Sequence, residues 1–333
     1  MSVNGNLSAG TYIYIAIRRG PMKTPTSGTS VYNAVTVTGN STANRAITGF
    51  GFPLDLLLSA GRTGTYLDKA WNARLTDAYY VRSTTAAAED IQYGALADLP
   101  FAYMDGYQTG TNGGVQFYWN YSGDTYVQYG MRRAPSFMDV VCYSGTGSAT
   151  TVSHNLGVAP ELMIIKSRSN INNWDVYAAP LGNTKALNLE STGAAYTSAT
   201  NWNNTTPGAS TFTLGTNGEV NGAGQTYVAY LFASCPGVSK VGSYSGTGAT
   251  QTISCGFAAR FVLIKRTNGT GNWWVWDTAR GMVAGTDPRL AYNSTAVETN
   301  ANWVYTNASG FQIVTTDATV NANGGSYIYL AIA

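Results

Sequence analysis

One strand-ending phrase occurs four times in this chain: TYIYIAIRRGP at residues 11–21, TYVQYGMRRAP at 125–135, TYVAYLFASCP at 226–236 and SYIYLAIA at 326–333. The copies begin 114, 101 and 100 residues apart, a spacing close to the size of an ordinary domain. A chain with that period is expected to fold as a tandem array and not as one large fold. The copied positions are almost all framework residues, so the repeat speaks for architecture before it speaks for chemistry.

Each copy can be traced backwards. Val3-Asn4-Gly5, Val220-Asn221-Gly222 and Val320-Asn321-Ala322 precede a glycine-containing step into the Tyr-rich phrase, which reads as a turn followed by a closing strand. After the phrase comes YSGTG at 143–147 and again at 244–248, with a weaker counterpart, VTVTG, at 35–39. Next stand the apolar runs PLDLLLS (53–59), PELMIIK (160–166) and RFVLIK (260–265), short enough and bounded sharply enough to be buried strands. Trp202 and Trp303 are also 101 residues apart, so the last two copies are the closest pair and the first has diverged.

Three complete units follow, at 21–135, 136–235 and 236–333, each large enough to hold a core of its own. Residues 1–20 repeat only the closing strand of a unit. An unpaired strand of that composition invites aggregation, so Tyr12, Ile13, Tyr14 and Ile15 are expected to pair with an edge in this chain or a neighbouring copy, as an assembly strand of a homo-oligomer. Abundant Gly (38) and Tyr (23), with Ser, Thr and Asn between the apolar runs, agree with an all-β chain of many short strands and tight turns. Only residues 84–91, TTAAAEDI, have the content of a helical turn.

Charged residues make up 11% of the chain, against about a quarter in ordinary globular proteins, and the net charge is +2. Nucleic-acid binding needs a basic stripe and is not expected. Arg18-Arg19 and Arg132-Arg133 recur after the same strand, which points to pairing with a nearby carboxylate and not to phosphate contact. The opening residues lack a secretory signal, and no run approaches the ~18 apolar residues of a membrane span. Synthesis in the cytoplasm without membrane insertion is the expectation. Cys142, Cys235 and Cys255 fall at three different repeat positions, so they are expected to be thiols, not a disulfide framework.

Candidate chemistry is sparse. His154 is the single histidine, and its repeat counterparts are Gly49 and Cys255, which gives neither a metal site nor a catalytic triad. The YSGTG loops lack the Gly-Lys-Ser/Thr of a phosphate loop. Asp55, Asp68, Asp77, Glu89 and Asp90 of the first unit have no evident counterparts among Glu161, Asp175, Glu190 and Glu219 of the second, so the paired carboxylates of a glycan hydrolase are not indicated. No cofactor is expected. The most suggestive cluster is NWWVWDTARG at 272–281. Trp273, Trp274 and Trp276 beside Asp277 and Arg280 have the make-up of a glycan or partner contact, an aromatic platform with a polar rim. In a strand Trp274 and Trp276 share one face and Trp273 takes the other. Core packing, with Asp277 and Arg280 paired to fix a loop, is the competing expectation and the weightier one.

Taken in order, YSGTG, PxLxIIK, WDxxRG and VNxxGxxYVAY resemble a jelly-roll-type β-sandwich repeat in virion structural proteins of tailed bacteriophages, particularly phages of marine and cyanobacterial hosts. The likeness covers the second and third units well and the first by its framework. In the second unit AAPLG at 178–182 replaces DTARG at 277–281. The resemblance implies a particle-surface or tail-associated structural protein that touches other virion proteins and carries no assigned catalytic residue. The expectation is therefore an all-β chain of three tandem β-sandwich, jelly-roll-like repeats preceded by an orphan N-terminal strand. Its function would be that of a non-enzymatic virion component, in a tail fibre, tail-associated or capsid decoration, released without a secretory signal. A glycan-binding adhesin is the alternative, and a glycan depolymerase the third reading.

Overall fold

The computed structural model describes residues 23–91, 101, 103–109 and 119–333, and in them each unit builds one six-stranded antiparallel sheet and one small sheet. The large sheets run in the same spatial order: an opening strand, the closing strand, the apolar strand and three more. In the first unit these are Tyr32–Thr38, Thr125–Met131, Leu56–Thr63, Lys69–Ala73, Tyr79–Arg82 and Asp90–Ile91. In the second they are Met138–Ser144, Thr226–Phe232, Leu162–Ser167, Trp174–Ala178, Lys185–Asn188 and Tyr196–Thr197, and in the third Ser239–Ser245, Ser326–Ile332, Phe261–Arg266, Trp274–Asp277, Asp287–Ala291 and Thr299–Ala301. The small sheets pair Ala46–Thr48 with Gly106–Gln108, Thr150–Ser153 with Thr211–Leu214, and Gly310–Ile313 with both Gln251–Ser254 and Val304–Asn307. Three tandem β-sandwich-like, jelly-roll-like units are thus present. The N-terminal strand, with Tyr12, Ile13, Tyr14 and Ile15, lies outside the described residues.

The repeated motifs have specific work in these sandwiches. Asn221 and Asn321 end one-turn helices, Gly218–Asn221 and Ala318–Asn321, whose N-caps are Asn217 and Asp317. Both asparagines are fully buried. Asn221 Nδ2 donates to Ser148 O and Gly215 O at 2.7 Å, and its Oδ1 accepts from Thr146 N at 2.8 Å. Asn321 repeats this with Ala249 O, Thr315 O and Thr247 N. The asparagine therefore clasps the YSGTG loop to the turn before the closing strand, and the loop's first glycine lets the two backbones touch. A Cβ on Gly145 or Gly246 would lie 2.2 Å from the carbonyl oxygen of Gly222 or Ala322. Gly39 makes the same approach to Tyr121 O, so it matches the first glycine of YSGTG, and the clasp of the first unit is Asn120, which accepts from Asn40 N and donates to Thr42 O. Replacing Asn221 with Ala leaves buried Gly215 O and part-buried Thr146 N without a partner, while Ser148 O keeps the Thr146 hydroxyl. The expected loss is about 1–3 kcal/mol in urea unfolding, with Asn321→Ala costing a similar amount.

Both faces of each large sheet are buried, which is why the apolar strands carry no polar alternation: Leu162–Ser167 and Leu56–Ala60 are buried at every residue. The outer face packs on the unit's own small sheet. Met163, Ile165, Tyr177, Trp202, Phe212 and Leu231 form that core in the second unit, and Val262, Ile264, Trp276, Phe311 and Tyr329 in the third. The inner faces behave differently from the expectation of three independent cores. Leu58, Trp71 and Tyr129 of the first unit, Ile164, Trp174 and Tyr230 of the second, and Leu263, Val275 and Tyr292 of the third belong to one continuous cluster. At its centre the three units leave a space of only about 10 Å³. The middle of the molecule is filled with side chains and is not a channel.

Backbone hydrogen bonds close the units into a ring. Glu89 N donates to Arg168 O of the second unit at 2.9 Å, Ala195 N to Thr267 O of the third at 2.8 Å, and Glu298 N to Arg62 O of the first at 2.8 Å. Strand register makes these three bonds equivalent, because Ala60, Lys166 and Lys265 occupy one position opposite the closing strand and the acceptors lie two residues further on. One chain thus reproduces the contacts of a cyclic trimer.

Residues 84–91 are not a helical turn. Their backbone is claimed by the second unit: Thr85 O accepts from Trp174 Nε1 at 3.1 Å, and Ala86 O accepts from Lys166 Nζ and Asn172 N, each at 3.1 Å. With those carbonyls engaged across the interface, the segment forms a turn and enters the short strand Asp90–Ile91.

Candidate functional site

The polar side chains with the most unusual surroundings lie where units meet. Tyr129 on the closing strand of the first unit donates to Asp277 Oδ2 of the third at 2.7 Å. Arg280, three residues past Asp277 on the turn that ends its strand, is held from three sides: its Nε donates to Asp277, its Nη1 to Glu298 Oε2 at 2.9 Å and its Nη2 to Val275 O at 3.0 Å. Glu298 also receives both Arg62 Nε and Nη2, at 2.9 and 2.7 Å. The side chains of Asp277 and Arg280 are fully buried. Carboxylates on either side hold the Arg280 guanidinium charged despite burial, and the two guanidiniums keep the Glu298 carboxyl below its usual range against the opposing effect of burial.

This placement decides what the Trp-rich cluster does. Trp273 is 1% exposed and faces the shared core, where its Nε1 donates to Asn188 O of the second unit at 2.9 Å. Trp276 is fully buried on the outer face beside half-buried Trp274, with ring centroids 6.4 Å apart, so the two faces divide as strand alternation requires. Trp273, Trp276, Asp277 and Arg280 form no platform open to a ligand. Trp274 comes closest to the surface, but the Arg289 guanidinium lies over both its ring and that of Trp303, with its carbon 4.5 and 3.3 Å from the centroids.

Buried lysines are the feature that the sequence displayed without explaining, as the last residue of two apolar runs. Lys166 Nζ donates to Ala86 O of the first unit and Lys265 Nζ to Thr192 O of the second, each at 3.1 Å. In the first unit the lysine moves across the strand pair: Ala60 takes the position on the apolar strand, and Lys69 opposite it donates to Gly61 O and Leu67 O. Burial lowers Lys69 to about 7 and Lys166 and Lys265 to about 8. An unfolded lysine titrates near 10.4, so between those values the unfolded chain binds more protons than the folded one, and raising the pH favours folding. The three shifts together correspond to about 5 kcal/mol gained from pH 7 to 9, so stability by urea unfolding is expected to rise over that range and to be insensitive to these lysines below pH 6. The raised thiols act in the opposite sense over the same range, so the lysine part is read against a Lys166→Met profile, and identical slopes would show that this ammonium group is better solvated than its burial indicates.

Other sequence candidates are placed as follows. His154 is 6% exposed, accepts from Leu156 N at Nδ1, contacts Gly208 O through Nε2 and stacks on Phe212. The three cysteines are free thiols, and burial raises the pKa of each. Arg133 pairs with Asp139, and its backbone N–H donates to Asp55. Asp175 is fully buried on the outer face, where its Oδ1 accepts from Tyr196 and Asn201 and its Oδ2 has no protein partner. Burial pushes its carboxyl up to about 7. Glu190 and Glu219 cap Trp174 N and Asn173 N. Among the described residues no group of three His, Cys, Asp or Glu side chains is placed to hold a metal, and no helix is long and apolar enough to cross a membrane.

An open cleft of about 620 Å³ lies between the second and third units. Its floor is the solvent end of the third unit's inner face, the cross-strand pairs Ser243–Ile328 and Ser245–Ser326, and its rim carries Leu181, Lys185 and Ala195.

A family model described as a domain of unknown function (DUF7483) matches residues 27–333, and the chain belongs to that family. The match runs through all three units. No curated protein matches the chain.

Proposed function

We propose that this family member is a non-enzymatic structural component of a tailed-bacteriophage virion, acting through assembly with other virion proteins. The observation that carries the reading is the closed three-unit ring. Asp277, Arg280, Glu298, Lys166 and Lys265, buried or nearly buried charged groups, hold neighbouring units together. A rigid ring with three near-equivalent outer faces suits a place in a symmetric particle, and the sequence resemblance supplies the kind of particle. Localisation to the virion, contact with further virion proteins and self-association belong to the same proposal.

Mass spectrometry of density-purified phage particles tests it. The expected result is this chain at a fixed copy number relative to the other particle proteins. Its absence from particles would remove the virion reading. Glycan binding would then lead, since the cleft between the second and third units is open to a ligand of that kind.

A further inference from the structure

The three interfaces of the ring are equivalent in backbone but not in side chains. Where the first unit meets the second, Arg168 Nε donates to Glu89 at 2.7 Å, and where the third meets the first, Arg62 pairs with Glu298 at 2.7 Å. These pairs hang on the equivalent backbone bonds from Glu89 N and Glu298 N. At the remaining interface the same two positions hold Ala195 and Thr267. Both line the 620 Å³ cleft, which occupies the place of the missing ion pair. A second difference enlarges it: the position of Cys142, which packs against the core and contacts Leu75 O, is taken by the smaller, exposed Ser243.

We infer that this cleft binds an acidic saccharide. Its volume falls in the range of small-ligand sites and suits one or two sugar rings. Strand alternation places Ser243 and Ser245 on the face of Val241, and Ser326 on the face of Ile328, so these exposed hydroxyls stand on the inner face just beyond the core. Among the described residues their hydroxyls find no hydrogen-bond partner, in contrast to Ser239, whose hydroxyl donates to Ala233 O. Exposed Pro180 and half-buried Leu181 give apolar surface against which the C–H face of a sugar can lie. Lys185 is the only charged residue of the lining, with no carboxylate among the described residues there to neutralise it. Several neutral donor-acceptors, a little apolar surface and one uncompensated ammonium match a hydroxyl-rich ligand with one carboxylate, such as a uronic or sialic acid unit. A phosphate ligand would call for the clustered cations or arginine forks that this lining lacks. The inference is independent of the virion reading, since it is read on the purified chain.

The test uses a glycan array printed with uronate-containing, sialylated and neutral oligosaccharides, followed by calorimetry on the best acidic binder. The wild-type chain is expected to bind acidic saccharides in preference to neutral ones. Ser245→Trp, at an exposed strand position, fills the floor, and the pair Ala195→Glu with Thr267→Arg installs the ion pair of the other two interfaces. Each should reduce affinity at least tenfold while the melting temperature stays near that of the wild type. Lys185→Ala should remove the preference for acidic over neutral saccharides. No binding anywhere on the array, or binding that survives Ser245→Trp, overturns the site. Binding by Lys185→Ala with its acidic preference intact overturns the ligand class.

Discussion

Replacing Arg280 with Met is expected to lower the unfolding free energy by about 3–5 kcal/mol. The substitution keeps a long apolar side chain in place but leaves Asp277, fully buried, with only the Tyr129 hydroxyl and the Arg280 backbone N–H as donors. Glu298 keeps Arg62, so the uncompensated charge falls on one carboxylate. Lysine is not expected to rescue, because three separate groups are met by the planar fork of a guanidinium. The double variant Asp277→Asn with Arg280→Met removes both charges and should recover a large part of the loss, which a double-mutant cycle in urea would measure. The same experiment separates a structural cluster from a ligand site. A site held open for a sugar would lose binding and keep its stability, whereas here stability is expected to move first. An Arg280→Met change below about 1 kcal/mol would contradict the buried network.

Trp71→Ala should cost about 3–5 kcal/mol and should be felt by all three units together. Trp71 stands on the first unit's inner face, with ring centroids 5.6 Å from Trp174 and 4.9 Å from Tyr230 of the second unit and 6.2 Å from Tyr292 of the third. Its indole N–H has no protein partner, so the loss is one of packing and not of a hydrogen bond. Because the cavity opens where three units meet, the expected unfolding curve is a single transition displaced to lower denaturant, with tryptophan fluorescence and far-UV circular dichroism coincident. Separate transitions, with the second and third units unfolding at their wild-type midpoint, would show that the shared core does not couple them.

The parts of this molecule that local chemistry specifies were readable in its sequence. The repeat spacing gave the three sandwiches, the apolar runs gave strands buried on both faces, and the Trp274–Trp276 and Trp273 division followed from alternation alone. Thiols outside a disulfide framework were likewise legible, whereas the sequence left His154 between a structural and a surface place and the fold buried it. Residues 84–91 show where local reading fails. Their Ala and Glu content favours a helical turn, but Trp174, Lys166 and Asn172 of another unit take the carbonyls that the turn would need.

What only the tertiary structure decided is how the inner faces meet. A sheet's sequence shows that a face is apolar, not what covers it, and the covering here comes from partners as far apart as Arg62 and Glu298. The ion pairs that recur at two interfaces fall between units and not within a repeat, so aligning the repeats does not bring Arg168 beside Glu89. The cleft depends on the same fact. Ala195 and Thr267 are ordinary small residues in the sequence, and they line the cleft inferred to bind a saccharide only because ring closure sets them where two other interfaces place an arginine and a glutamate.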